Sequence, residues 1–179
     1  MMFSTKAEYG VRVMVELARR SGGGNAFGDD SGLAAGGDPV PLAEIAANDG
    51  LPLAYLEHLV ARLRKAGLVD SRRGSRGGYL LARPAAQITM AEVVEALEGS
   101  IAPIECISES ADGSIVCARE SAAADPARPL IACPTTLLWT RVRASIVTTL
   151  RETTLADLLV TPPIATSGGL QIEPLTTGA

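Results

Sequence analysis

Apolar side chains recur at helical intervals along most of this chain, broken by glycine, proline and short polar runs. Residues 3–20 carry Val11, Met14, Val15 and Ala18 at helical spacing; Ser4 or Thr5 can cap that helix, and Ser21 with the following glycines ends it. Residues 21–38, SGGGNAFGDDSGLAAGGD, hold too few apolar groups to repay their ordering entropy and read as a flexible surface insertion. A helix from about Pro41 to Asn48 buries Leu42, Ile45 and Ala46, and Asp49-Gly50 supplies a tight turn. A second helix starts near Pro52, faces the core with Leu56, Leu59, Val60 and Leu63, and stops at Gly67. Tyr55, Glu57, His58, Arg62 and Lys65 fall on its outer side. Leu68-Val69 then begins a short strand, SRRGSRGG turns, and Tyr79-Leu80-Leu81 returns.

Helix, tight turn, helix and a two-stranded hairpin with an arginine–glycine tip are the parts of a winged helix-turn-helix, a shape that fits duplex DNA. In that architecture the second helix enters the major groove by its N-terminal residues, so Ala54, Tyr55, Glu57 and His58 are the candidates for base contact. A glutamate accepts from the amino group of cytosine but repels phosphate, which makes Glu57 a selectivity filter more than a source of affinity. Arg62 on the same helix, with Arg73, Ser75 and Arg76 in the wing tip, completes the candidate DNA-binding set. Arginines at a glycine-rich tip suit the phosphate backbone or a narrow minor groove.

Further on, Thr89-Met-Ala-Glu92 is a capping box for a helix that buries Val93, Val94 and Leu97 and ends at Gly99. Residues 100–132 read as irregular. A long helix starts at Pro134 and carries Leu138, Trp139, Val142, Ile146 and Leu150 along one side, a stripe that either closes the core or pairs two copies of the chain. Thr154 caps a last short turn, LADLLV, and residues 161–179 read as a disordered tail.

Charge sharpens this picture. The chain is acidic overall, at −4, yet between Arg62 and Arg83 it holds an excess of six positive charges. Such a run is often only a solvated face, but here it coincides with the helix-turn-helix pattern and can meet phosphates. With 179 residues, 47% of them hydrophobic and 3% aromatic, the chain has room for one well-cored domain, or one domain with an appendage, and its core is aliphatic. No apolar run approaches the roughly 20 residues needed to span a bilayer. Lys6, Glu8, Arg12 and Glu16 interrupt the N-terminal pattern, unlike a signal peptide, so a cytoplasmic location is expected.

Cys106, Cys117 and Cys133 are the whole cysteine complement. An odd number in a reducing compartment disfavours a disulfide framework, and their spacing matches no short zinc signature. Structural thiols therefore stay open as a reading. Against it, Cys133 directly precedes a helix, whose first amides and dipole favour thiolate, and soft thiolates select zinc or iron–sulfur groups. No nucleophile–base pair for a cysteine enzyme is visible, because the sole histidine, His58, belongs to the DNA reader. The chain is not expected to be an enzyme.

The blocks FSTKAEYGVRVMVELA, PVPLAEIA…LPLAYLEHLVARLRKAGLV, RRGSRGGYLLARP, ITMAEVVEALEG and C-x5-W…TTLADLL, in order over roughly residues 2–160, resemble the Rrf2 (Rrf-two) family, with its IscR- and NsrR-like members. The resemblance implies a homodimeric winged-helix regulator with one iron–sulfur cluster per subunit, in which Cys106, Cys117 and Cys133 match three ligand positions. Members of the IscR branch space these cysteines more closely and carry a histidine where this chain has Thr136. Nitric-oxide-sensing members use an acidic residue in the first helix of the other subunit, a place that Glu8 occupies here. Glu8 in trans is thus the expected fourth ligand, with Glu109, Asp112 and Glu120 as rivals, and cluster nuclearity is left open.

The expectation as a whole is a mainly α protein. Residues 1–99 form a winged helix-turn-helix domain with a small β-hairpin wing, 100–133 a cysteine-bearing cluster loop, and 134–160 a dimerisation helix and cap. Its expected role is that of a transcriptional regulator, a repressor at a palindromic promoter site, responding to iron, redox or nitric-oxide status. A cluster-free regulator controlled by thiol oxidation or a partner protein is the alternative, and a zinc-stabilised protein-interaction adaptor a remote one.

Overall fold

The computed structural model describes residues 3–21, 38–74, 76–110, 114–118 and 133–159. The insertion expected at 21–38 falls outside them except at its ends, and the tail 161–179 lies wholly outside. The elements are α1 (Thr5–Ser21), α2 (Leu42–Asp49), α3 (Leu53–Lys65), β1 (Val69–Arg72), β2 (Gly78–Leu81), α4 (Met90–Glu98), β3 (Ile107–Glu109), β4 (Ile115–Cys117), α5 (Thr136–Glu152) and α6 (Leu155–Leu159), with one 3-10 turn at Ala85–Gln87.

The first helix buries Val13, Met14, Leu17 and Ala18, while Val11 and Val15 are half-buried flanks. The buried stripe is thus rotated from the one read off the sequence, because α1 is gripped from two sides, by α4 and by α3 with the wing. In α2 and α3 the expected residues are the buried ones: Leu42, Ile45 and Ala46, then Leu56, Leu59, Val60 and Leu63. The turn between the two helices needs Gly50, which sits at φ 65 and donates its amide to the Ala46 carbonyl. β1 and β2 pair antiparallel from Val69–Leu81 to Arg72–Gly78, and Val40 extends the ladder by exchanging two backbone hydrogen bonds with Tyr79. The wing is thereby tied to the start of α2.

The capping box at Thr89 is formed in both directions: the Thr89 hydroxyl accepts from the Glu92 amide, and the Glu92 carboxylate accepts from the Thr89 amide. The stretch 100–132 departs from the sequence reading: it is not irregular throughout, since β3 and β4 form a small antiparallel hairpin with Ile107 opposite Cys117. Of the two arrangements left open, the C-terminal segment takes the one that joins the core. Leu155 is fully buried in the main core, and Leu155 and Met90 donate backbone hydrogen bonds to Ile88 and Thr153. Burying such a leucine contributes about 1.5–3 kcal/mol, so α6 locks the far end of α5 onto the head.

A second, smaller apolar cluster of Ala7, Val94, Ile101 and Val147, with Ile146 and Leu150 against it, seats the C-terminal half of α5 between α1 and α4. The N-terminal half differs. Leu137 and Leu138 are 63% and 55% exposed, and Trp139 and Val142 are half-buried. The predicted single stripe is therefore split, and the buried positions of the helix are Val147 and the charged Arg143, neither of them in that stripe.

Candidate functional site

The exposed face of α3 carries Leu53, Ala54, Glu57, His58, Ala61, Arg64 and Lys65, which recur at three- and four-residue steps and so share one surface. Of the residues expected to read bases, Ala54, Glu57 and His58 are on it. Tyr55 is turned aside: its ring is half-buried and meets Tyr9 edge-on, centroids 5.9 Å apart. An aromatic ring on a helix flank gains more from such contact than from water. Arg62 is also diverted. Its guanidinium donates to the Leu97 carbonyl at 2.8 Å, satisfying the C-terminal end of α4, where carbonyls lack helical partners and the dipole favours a cation. Leu53 and Ala61 escaped the sequence reading because apolar residues are assigned inward by default; their four-residue spacing on either side of Glu57 was the available signal.

In the wing, Arg72, Arg73, Gly74 and Arg76 are exposed, and the Gly77 amide closes the tip on the Gly74 carbonyl at 2.9 Å. Ser75 lies outside the described residues. Arg83, by contrast, is spent inside the molecule on Glu92 and the Gln87 carbonyl. The positive surface thus consists of the last turn of α3 and the wing.

The cysteines belong to other elements. Cys106 precedes β3, Cys117 ends β4, and the Ala118 amide donates to the Cys106 carbonyl at 2.8 Å, so the two cysteines sit at the same end of the hairpin. Cys117 is 3% exposed, Cys106 and Cys133 are half-buried, and no disulfide joins them. Cys133 stands ahead of α5, whose Thr136 amide donates to the Cys133 carbonyl at 3.1 Å. The helix starts two residues later than Pro134 because Thr135 takes the N-cap position. Hydrogen bonding to the Thr135 hydroxyl, 3.4 Å away, then to its amide and to Thr136, brings the Cys133 thiol from 9.0 down to about 7. The Cys117 thiol adds to this from within hydrogen-bonding reach. Chain topology has therefore brought Cys117 and Cys133 together across a gap of fifteen intervening residues.

For a thiolate-bound iron–sulfur group the donors fit in kind and in chain order, and two of them are already adjacent. No three of His, Cys, Asp and Glu are gathered closely enough to hold a metal ion among the described residues. Glu8, the expected fourth ligand, is exposed on α1 and accepts from Arg12 at 2.8 Å. Glu109 is held by Arg143, and Asp112 and Glu120 lie outside the described residues.

A head with a bonded helix-turn-helix, an arginine wing and one basic surface defines a winged-helix DNA-binding transcriptional regulator, and its relatives agree. The family model for Rrf2, an iron-dependent transcriptional regulator, matches residues 32–161. The HTH-type transcriptional regulator CymR of Bacillus subtilis is 35% identical over 158 residues, 88% of this chain and 89% of its own length. The regulator IscR of Xenorhabdus nematophila is 42% identical over 106 residues, 59% of this chain and 56% of that one. Among solved structures, CymR, the global cysteine regulator of B. subtilis, superposes with a TM-score of 0.62 at 34% identity over 89% of this chain and 96% of that one. IscR of T. potens superposes with a TM-score of 0.61 at 34% identity, over 89% and 86% of the two chains. The chain belongs to the Rrf2 family. It is a transcriptional regulator and not an enzyme, and among the described residues no helix is long and apolar enough to cross a membrane.

Proposed function

We propose that this chain is a cytoplasmic homodimeric repressor whose hold on a two-fold promoter site follows the state of an iron–sulfur cluster on Cys106, Cys117 and Cys133. The observation that carries this reading is the convergence of Cys117 and Cys133 at the foot of α5, where the helix start holds one thiol near its thiolate form. The iron-dependent family model and the similarity to IscR support it. When bound, such a group supplies a link among the cysteines that is sensitive to redox state and nitric oxide, and Glu8 of the partner subunit would be its fourth ligand. In the head, Ala54, Glu57 and His58 face base edges, and Arg73 and Arg76 grip the backbone or minor groove.

A second reading rests on the same pair. Two gathered thiols with a third apart also suit a reversible disulfide between Cys117 and Cys133, without iron, and a regulator named for cysteine shares most of this chain's length. Anaerobic purification and reconstitution with ferrous iron and sulfide separates the two. Visible absorbance with stoichiometric iron and sulfide, lost in Cys117→Ala, supports the cluster. A colourless, iron-free product overturns it, and a Cys117–Cys133 disulfide formed with diamide would then support the thiol switch.

A further inference from the structure

Arg143 is the only buried charged or polar residue among the described residues, at 9% exposure, and it lies in the middle of α5. Its Nε donates to the Ile101 carbonyl at 3.0 Å, and its Nη2 donates to the Glu109 carboxylate. The two acceptors bracket Cys106: one lies five residues before it and the other three residues after it. Arg143 thus fastens both the loop that leads into the hairpin and the hairpin itself to one helix. The hairpin meets α5 at two places, with Cys117 beside Cys133 ahead of the first turn and Glu109 on Arg143 about two turns further along.

An aliphatic residue would fill this position without the desolvation penalty that a guanidinium incurs, and replacing buried ion pairs by apolar residues is often neutral or stabilising. Stability therefore does not explain the arginine; a specified position for the hairpin does. The first attachment is made of thiols and changes with their chemistry. The second does not.

We propose that the Arg143–Glu109 pair is the fulcrum through which a change at the cysteines is passed to α5, making Arg143 a positioning residue for the switch. This rests on the cysteines being the sensor. Loss or rearrangement of the thiol attachment swings the hairpin about Glu109, and the pull reaches the exposed half of α5 through Arg143. Without the pair the hairpin moves alone and α5 does not register it.

The test uses a duplex enriched from a random pool by the wild-type protein. Affinity is measured for reduced apo-protein, for protein reconstituted with ferrous iron and sulfide, and for diamide-treated protein. Wild type should show a ratio of about tenfold or more between two of these states. Arg143→Gln and Glu109→Gln should each bring the ratio to within about twofold, Arg143→Lys should restore part of it, and the double variant should go no further than either single one. A merely structural role would weaken all states together and leave the ratio intact, and that result overturns the proposal. Glu109→Gln keeps the arginine and serves if Arg143→Gln fails to fold. A wild type with equal affinity in every state would instead refute the cysteine sensor itself, and is told apart because it needs no variant. Independently, alkylation of the buried Cys117 should quicken in both variants; an unchanged rate would mean that the pair does not anchor the hairpin.

Discussion

Glu92 does two jobs with one carboxylate. One oxygen accepts from the Thr89 amide at 2.9 Å and the other from Arg83 at 2.8 Å. Burial pushes its pKa up, but the Thr89 amide, the Arg83 guanidinium and the Thr89 hydroxyl outweigh that and leave it below 4.5. A lowered folded-state pKa means that the stabilisation is complete above the unfolded value and fades as pH falls through the folded one. Glu92→Ala should thus lose about 1 kcal/mol in urea unfolding at neutral pH, mostly as a lost cap because the exposed ion pair contributes little. The gap should narrow below pH 4.5; a constant gap would assign the loss to packing. In the wing, Arg73→Ala and Arg76→Ala should each weaken binding to all duplexes alike and lower the salt slope by about 1, which titrations at several salt concentrations will read. Caps and turn glycines were legible residue by residue, since Thr89, Glu92 and Gly50 each answer a local backbone need. Tyr55 and Arg62 were not. Periodicity assigns a face, whereas a long side chain reaches across to whatever partner the fold brings near.

Between elements, α1 comes close to α4 at Gly10. A Cβ on Gly10 would stand 2.0 Å from Leu97 Cδ1, and Leu97 is fully buried with nowhere to retreat. Gly10→Ala should cost about 1–3 kcal/mol by overpacking, and a compensating Leu97→Ala should recover part of it in the double variant. Fully additive losses in thermal unfolding would show that the two positions do not touch. Nothing in the sequence marks Gly10 as a packing glycine, because its partner is a residue 87 positions away. The β3–β4 hairpin was invisible for a different reason. Strands of three residues are too short to display a period, and only the pairing of Ile107 with Cys117 reveals them. In α5 the helix itself was legible, but its inward face was not. The core admits Arg143 there, a residue that pattern reading sends outward.

For the molecule as a whole, the proposed dimer would rest on the exposed half of α5, which would then set whether two heads act together. A two-fold DNA site presents half-sites about 34 Å apart, so two recognition helices must be held at one separation. Among the described residues Leu137 and Leu138 are the most exposed of the large apolar side chains, and they lie in the first turn of α5, four and five residues after Cys133. Two leucines from each chain, each a little over half exposed, would contribute roughly 4–7 kcal/mol if fully covered. Association itself costs about 4–15 kcal/mol, so the margin is thin and the rest of the helix face must share the contact. A thin margin would make such a dimer a fitting place for control, because small shifts of α5 would change it appreciably. Leu137→Asp combined with Leu138→Asp should therefore give a monomer by sedimentation. It should bind a two-half-site duplex no more tightly than a single half-site, since the effective-concentration gain of a linked second head is gone. A variant that stays dimeric, or that keeps its preference for the paired site, would place the two-fold contact elsewhere than on α5.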